Sequence, residues 1–349
     1  MSDTAHPLLP STTPLLRRAG DAVQVGGVDA GDGLVVRPAA AEVTTLLRGL
    51  DGRRPQRSVL ADAVTAGFDA AAVAGLLDGL RSTGLLVDLD PADLLASDAG
   101  PAAVARTAAE LPAARGTSPG AARWAARRRA TVVVEGATRV GVPLAAVLAA
   151  SGVGRVSVRD RGVVGAGDAV VGGLSAEDEG RPRALAAADA VRRASPLADV
   201  RPLPDGVLPD LVVLARPWAA ADPVVTVWQS AGAAHLVATV RGETGVVGPL
   251  VVPGRTSCLG CADLHRRDAD PSWPALAAQL TATDAPPGGS TLTCLLTAVT
   301  AAQQALAYLD GSGAPATLEA TVELRWPELV PARRRWPAHA ECGCLDAPA

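Results

Sequence analysis

Lysine is absent from this chain of 349 residues, so all 32 basic side chains are arginine. Phenylalanine and tyrosine occur once each. These gaps are the mark of GC-rich coding and say more about codon usage than about chemistry. Other shortages exclude functions. Acids number 36 and the formal net charge is −4, which offers no basic field to a phosphate backbone. Aromatic residues make up 2%, too few for platforms on which bases stack. No nucleic-acid partner is expected. No run of about 18 uninterrupted apolar residues occurs, so no membrane span is expected. The opening MSDTAHPLLPSTTPLL lacks a basic segment followed by a long apolar core and does not read as a signal peptide. A cytoplasmic protein with reduced cysteines follows from these readings.

What is present divides the chain in four. Residues 1–14 read as a flexible N-terminus. Residues 15–90 give a hairpin around 22-AVQVGGVDAGDGLVVR-37, three helical segments, and a closing strand 85-LLVDLD-90. The helices stop at Gly52, Gly67 and Gly84, and Asp69 is an N-cap candidate. Hairpin, three helices and strand make a small winged-helix-like α+β domain; a generic helical bundle is the alternative. Residues 91–129 are an Ala/Pro-rich linker, ending in the Arg run at 127–129, read as a solvated turn.

Residues 130–349 form the main domain. Strands are expected at 131–134, 155–159, 199–202, 210–214 and 235–240, with helices at 142–151, 181–194 and 223–232. Such alternation predicts an α/β domain with a mostly parallel sheet covered on both faces. A long helix over 290–311 and one or two strands within 316–326 follow.

The first strand runs into the turn Gly136-Ala137-Thr138-Arg139-Val140-Gly141, and the second ends at Asp160. A glycine there permits a tight turn, a helix N-terminus turns free N–H groups toward phosphate, and an acid about 20 residues on meets ribose hydroxyls. Thr138 replaces the middle glycine of that pattern and narrows the approach of phosphate to backbone. Gly136, Thr138, Arg139, Gly141 and Asp160 are the candidate nucleotide-binding residues.

Cys258-Leu259-Gly260-Cys261 and Cys342-Gly343-Cys344 are two chelating pairs from distant segments, the arrangement of a closed, structural zinc site. His265 and His339 stand near enough in sequence for either to replace a thiolate, and free thiols are the remaining alternative. Cys294, inside the long apolar helix, reads as a core thiol.

The block VVVEGATRVGVPLAAVLAASGVGRVSVRD, the run GRPRALAAADAVRRASP, the CxxC and the late CxC together resemble the ThiF/MoeB-like E1 superfamily. Its members activate the C-terminal carboxylate of a ubiquitin-like protein or peptide by adenylation. Residues 252–280 resemble most the E1-like partner proteins of TOMM-type peptide cyclodehydratases, whose N-terminal winged-helix element recognises peptide. The resemblance covers roughly residues 130–345 and implies a Rossmann-like E1/ThiF fold.

It also implies a damaged active site. An Asn and an Arg should follow the second strand, but Asp168 and Val171 occupy those places in 167-GDAVVGG-173. A phosphate-binding Lys is replaced by Arg183, the one possible catalytic residue left. A magnesium-binding Asp is expected after the fourth strand, where 210-DLVVLARPWAAADP-223 offers Ala215, Arg216 and Pro217, with Asp222 out of register. Missing charges near a transferring phosphoryl group remove transition-state stabilisation.

Two functional readings follow. In the first, a degenerate E1-like protein binds a leader peptide or partner protein and presents it to a separate cyclodehydratase-type enzyme, capturing it by strand addition around 22–37 and 85–90. In the second, an active ATP/Mg-dependent adenylyltransferase uses Arg139, Arg183 and Arg216 as a different phosphate clamp. A nicotinamide-dependent oxidoreductase is disfavoured by Thr138 and the paired cysteines. The family resemblance adds a homodimer to the expected partners.

Overall fold

The run Thr131–Glu135 is a strand with valines at three successive positions, and the faces they choose organise the larger domain. Val132 and Val134 enter one buried cluster and Val133 another, as the two-residue period of a strand requires. A strand apolar on both faces belongs inside a covered sheet.

In a computed structural model, residues 5–27, 33–37, 41–89, 110, 126–204, 206–216, 222–282, 288–311 and 313–345 are described. The chain divides into two units, 1–125 and 126–349. The first contains β1 (His6–Leu8), β2 (Leu15–Arg18), β3 (Ala22–Gly26), β4 (Gly33–Val36), α1 (Ala41–Arg48), α2 (Gln56–Thr65), α3 (Ala70–Ser82) and β5 (Val87–Leu89). β2, β3 and β4 form an antiparallel sheet. Its apolar residues Val23 and Val25 pack with Leu47, Val59, Leu77 and Leu80 from the three helices. Asp69 caps α3, accepting from Ala72 N at 2.8 Å. His6–Leu8, which the sequence leaves in a flexible lead-in, instead pairs antiparallel with β5. Most of the expected linker lies outside the described residues.

The second unit contains β6 (Thr131–Glu135), α4 (Gly141–Ala150), β7 (Arg155–Arg159), α5 (Arg183–Ala194), β8 (Leu211–Leu214), α6 (Pro223–Ser230), β9 (His235–Arg241), β10 (Thr244–Val251), α7 (Leu259–Ala269), α8 (Trp273–Ala282), α9 (Thr291–Leu309), β11 (Ala320–Arg325) and β12 (Pro331–Arg335). Its seven strands run in the order β7-β6-β8-β9-β10-β11-β12. The first four are parallel, and the last three continue them antiparallel.

One face of the sheet is covered by α4 and α9. α4 is buried on nearly every side, which explains why its sequence shows no polar stripe. α9 is the one helix among the described residues long and apolar enough to cross a membrane; here it lies in the core, with Cys294, Ala298, Ala301, Ala302 and Ala305 buried against the sheet. The other face packs Val133, Val212, Leu214 and Val237 against Val225 and Trp228 of α6 and Leu259 of α7.

Three expectations change. Residues 199–202 make a single bridge, Asp199 to Arg155, rather than a strand. Asp199 spends its carboxylate on Arg155, Arg201 and the Arg201 N–H, and Pro202 has no N–H for a ladder. The sequence reading also lacks β10, which is broken by Gly248-Pro249 and a register shift between Val247 and Leu250. Lastly, the Arg run before β6 is not a solvated turn throughout: Arg127 is buried and pairs twice with Asp310, at 2.7 and 2.6 Å.

Candidate functional site

The glycine turn leaves β6 at the C-terminal edge of the parallel strands, where open α/β sheets take their ligands. Gly136 has φ +115°, a conformation side chains disfavour. Gly141 is needed for a different reason: a Cβ there would lie 2.1 Å from the Gly136 carbonyl oxygen. Asp160, at the end of β7, fastens the turn. Its Oδ2 accepts from Ala137 N at 2.8 Å and its Oδ1 from Gly162 N at 2.9 Å.

Thr138 turns into the fold. Its side chain is buried, donates to the Ala215 carbonyl at 2.8 Å, and accepts from Gly141 N at 3.0 Å. The hydroxyl thus joins the turn to the end of β8 and satisfies a free N–H at the start of α4. Beside the expectation that Thr138 narrows a phosphate path, the hydroxyl has this structural role. Arg139 also turns elsewhere, donating to Gly289 O at 2.6 Å and Thr291 Oγ1 at 3.0 Å.

Arg183 opens α5 and stays beside the turn. A Cβ on Gly162 would meet Arg183 Cδ at 3.3 Å and Asp160 Oδ1 at 3.4 Å. Its guanidinium, however, donates to Asp168 Oδ2 at 2.7 Å and to Val163 O at 2.9 Å. Val171 is 73% exposed. Asp222 is consumed as the N-cap of α6, accepting from Val224 N at 2.8 Å. Pro217 lies outside the described residues.

A polar network at the same edge escaped the sequence reading. Glu135 ends β6 opposite Arg159 in the parallel register, 3.6 Å away, and accepts from Trp228 Nε1 at 3.1 Å. The Arg159 guanidinium lies 5.1 Å from the centre of the Trp228 ring, within cation–π range. Burial raises the Glu135 carboxyl above its ordinary value, against the opposing charges of Arg159 and Arg216 and the indole bond. The signal available was an acid closing an otherwise apolar strand, TVVVE.

The cysteine cluster lies on the α6/α7 side of the sheet. Cys258 precedes α7, Cys261 sits in its first turn, and Cys342 and Cys344 come from the tail. The four Sγ atoms all lie within 4.8 Å of one another, with Cys258–Cys342 at 3.6 Å and Cys261–Cys344 at 3.5 Å. Zinc–sulfur bonds of about 2.3 Å arranged tetrahedrally put sulfurs roughly 3.8 Å apart, so the donor set fits that ion. Gly260 gives the pairs room: a Cβ there would meet Cys258 Sγ at 3.3 Å. Burial pushes the Cys258 thiol well up, and Cys344 to about 11, whereas, despite burial, hydrogen bonds from the His339 and Cys258 backbone help to hold Cys261 below its ordinary value. The histidines face other partners. His265 contacts the Pro337 carbonyl at 3.0 Å and His339 the Asp268 carboxylate at 2.8 Å. Cys294 is a buried helix residue whose thiol burial also raises.

Set against known proteins, residues 120–344 match the ThiF family model. No curated protein sequence is a match. Among solved structures, E. coli MccB with ATP superimposes with a TM-score of 0.60 at 15% identity, over 97% of this chain and 99% of that one. The microcin C7 biosynthetic enzyme MccB in complex with N-formylated MccA gives 0.59 at 15%, over 97% and 99%. Selenomethionine PaaA gives 0.60 at 15%, over 94% and 99%. At these identities the likeness is one of fold.

Proposed function

The chain belongs to the ThiF family, and from that membership we propose that it is a peptide-binding member with a degenerate adenylation site. It holds a leader peptide or small protein partner and presents it to a separate modifying enzyme of the cyclodehydratase type. One observation carries this reading: two of the three arginines that could clamp phosphate, Arg139 and Arg183, are already engaged. Arg183 is held by Asp168, and Arg139 by Gly289 and Thr291. A clamp on a triphosphate needs uncompensated donors aimed at it.

Peptide capture falls to the N-terminal unit, read as winged-helix-like. β1 takes one edge of β5, which leaves the outer edges of the β2-β3-β4 sheet as the better surface for strand addition. Support for a peptide partner comes from MccB, crystallised with MccA. In the 126–349 unit, zinc held by Cys258, Cys261, Cys342 and Cys344 staples the tail to the start of α7. All four positions would be filled by protein, so the ion is structural. Homodimer formation and a cytoplasmic location complete the reading.

A second reading is an active ATP-dependent adenylyltransferase. It is favoured by the near full-length match to a MccB structure that contains ATP. Thermal unfolding in rising Mg-ATP separates the two. The peptide-binding reading expects no upward shift of the transition; a saturable shift of several degrees, lost in Asp160→Ala, would refute it.

A further inference from the structure

Asp168 is nearly fully buried, at 2% exposure. Its Oδ2 accepts from Arg183 Nη2 at 2.7 Å and from Gly165 N at 2.8 Å. Its Oδ1 has no hydrogen-bond partner among the described residues. A buried carboxylate with one bare oxygen depends heavily on its single cation. That cation stands in a telling place. The Arg183 side chain passes Gly162 beside Asp160, and Asp160 holds the backbone of the glycine turn.

We infer that the Asp168–Arg183 pair is a charge lock on the mouth of the glycine turn, with the Asp168 carboxylate occupying the position of a polyphosphate's oxygens on Arg183. The inference rests on the reading of a silent nucleotide site and names the residue that silences it. A polyphosphate arriving at Arg183 must displace a tethered, desolvated carboxylate. It must also bring its own negative charge toward Asp160 and Asp168 together. Both effects act against binding. Asparagine at position 168 has nearly the same size and can still accept from Gly165 N, but carries no charge. Arg183, with 16% of its side chain exposed, then faces a neutral acceptor, and its charge is no longer compensated by Asp168.

The test uses the full chain with calorimetric titration of Mg-ATP and of inorganic tripolyphosphate. Asp168→Asn is expected to bind both roughly tenfold tighter than wild type, the step for gaining one hydrogen bond to a charged group. In Asp168→Asn with Arg183→Ala, the gain should vanish. Equal binding by wild type and a folded Asp168→Asn chain overturns the lock, as does a gain that persists without Arg183. Asp168→Ser provides the same two outcomes if the asparagine variant does not fold. A gain for ATP alone, with none for tripolyphosphate, also overturns it, because the base and ribose would then be responsible. Turnover of ATP by the wild type would refute the functional proposal while leaving the ratio between variants to decide the lock.

Discussion

The glycine turn and the cysteine cluster are incomplete in opposite ways. At the turn, three of the candidate charges are engaged within the protein: Asp160 holds backbone N–H groups, Arg183 holds Asp168, and Arg139 holds the segment before α9. At the cluster, four soft donors converge within 4.8 Å of one another. Both lie in one domain of one family. In the proposed reading the first site serves as architecture, whereas the second would still hold a metal. The contrast can be broken or sharpened by substitution.

The largest effect is expected at the cluster. Purified protein should contain about one zinc per chain, and Cys258→Ser should abolish it. Structural zinc contributes apparent binding energies on the order of 10 kcal/mol or more in small domains, so the unfolding transition should fall further than for any other single change. Metal analysis with thermal unfolding checks this. Zinc-free wild-type protein of unchanged stability would contradict it.

Next is the buried Arg127–Asp310 pair, whose side chains are 4% and 5% exposed. Arg127→Ala leaves an unpaired buried carboxylate and should cost about 3–5 kcal/mol in denaturant unfolding. A loss under about 1 kcal/mol, the range of exposed pairs, would show that the pair is solvated.

Thr138→Val strips the hydroxyl's hydrogen bonds from the turn while keeping the shape. An unsatisfied buried Ala215 carbonyl and a lost cap should cost about 1–3 kcal/mol. Stability should fall with no change in the response to Mg-ATP. A selective change in nucleotide response would return Thr138 to the ligand side of the comparison.

The smallest effect concerns Glu135. Its folded pKa is raised by burial, so the folded state binds the proton more tightly than the unfolded chain. Wild-type stability should therefore decline as pH rises from the ordinary carboxylate value through the raised one. Glu135→Gln removes that slope while still accepting from Trp228. Urea unfolding between about pH 4 and pH 7 should show the variant gaining on wild type as pH rises. A constant difference would mean that the carboxyl is not destabilised by burial.

Much of this was legible in one dimension, for physical reasons. Strands buried on both faces write themselves as runs such as Val132-Val133-Val134, and chelating cysteines carry their spacing in the sequence. Antiparallel additions were harder to read. β12 is fully exposed and contains three arginines, so no apolar alternation marks it. β1 is three residues long, and its pairing with β5 spans most of the N-terminal unit. The turn was found, but the direction of its side chains was not. Thr138 meets Ala215 across 77 positions, and Arg127 meets Asp310 across 183. No local pattern encodes either contact. The resemblance located Asp168 and Arg183 as replaced residues; only the fold brings the two replacements into contact.

The central claim is that this ThiF-family chain keeps the nucleotide architecture without the chemistry. ATP–pyrophosphate exchange measures that directly, with Mg²⁺, the wild-type chain, and candidate Cys/Ser/Thr-rich peptides. Exchange no faster than the protein-free control, with or without peptide, is the predicted result. Peptide-stimulated exchange abolished by Asp160→Ala would contradict it.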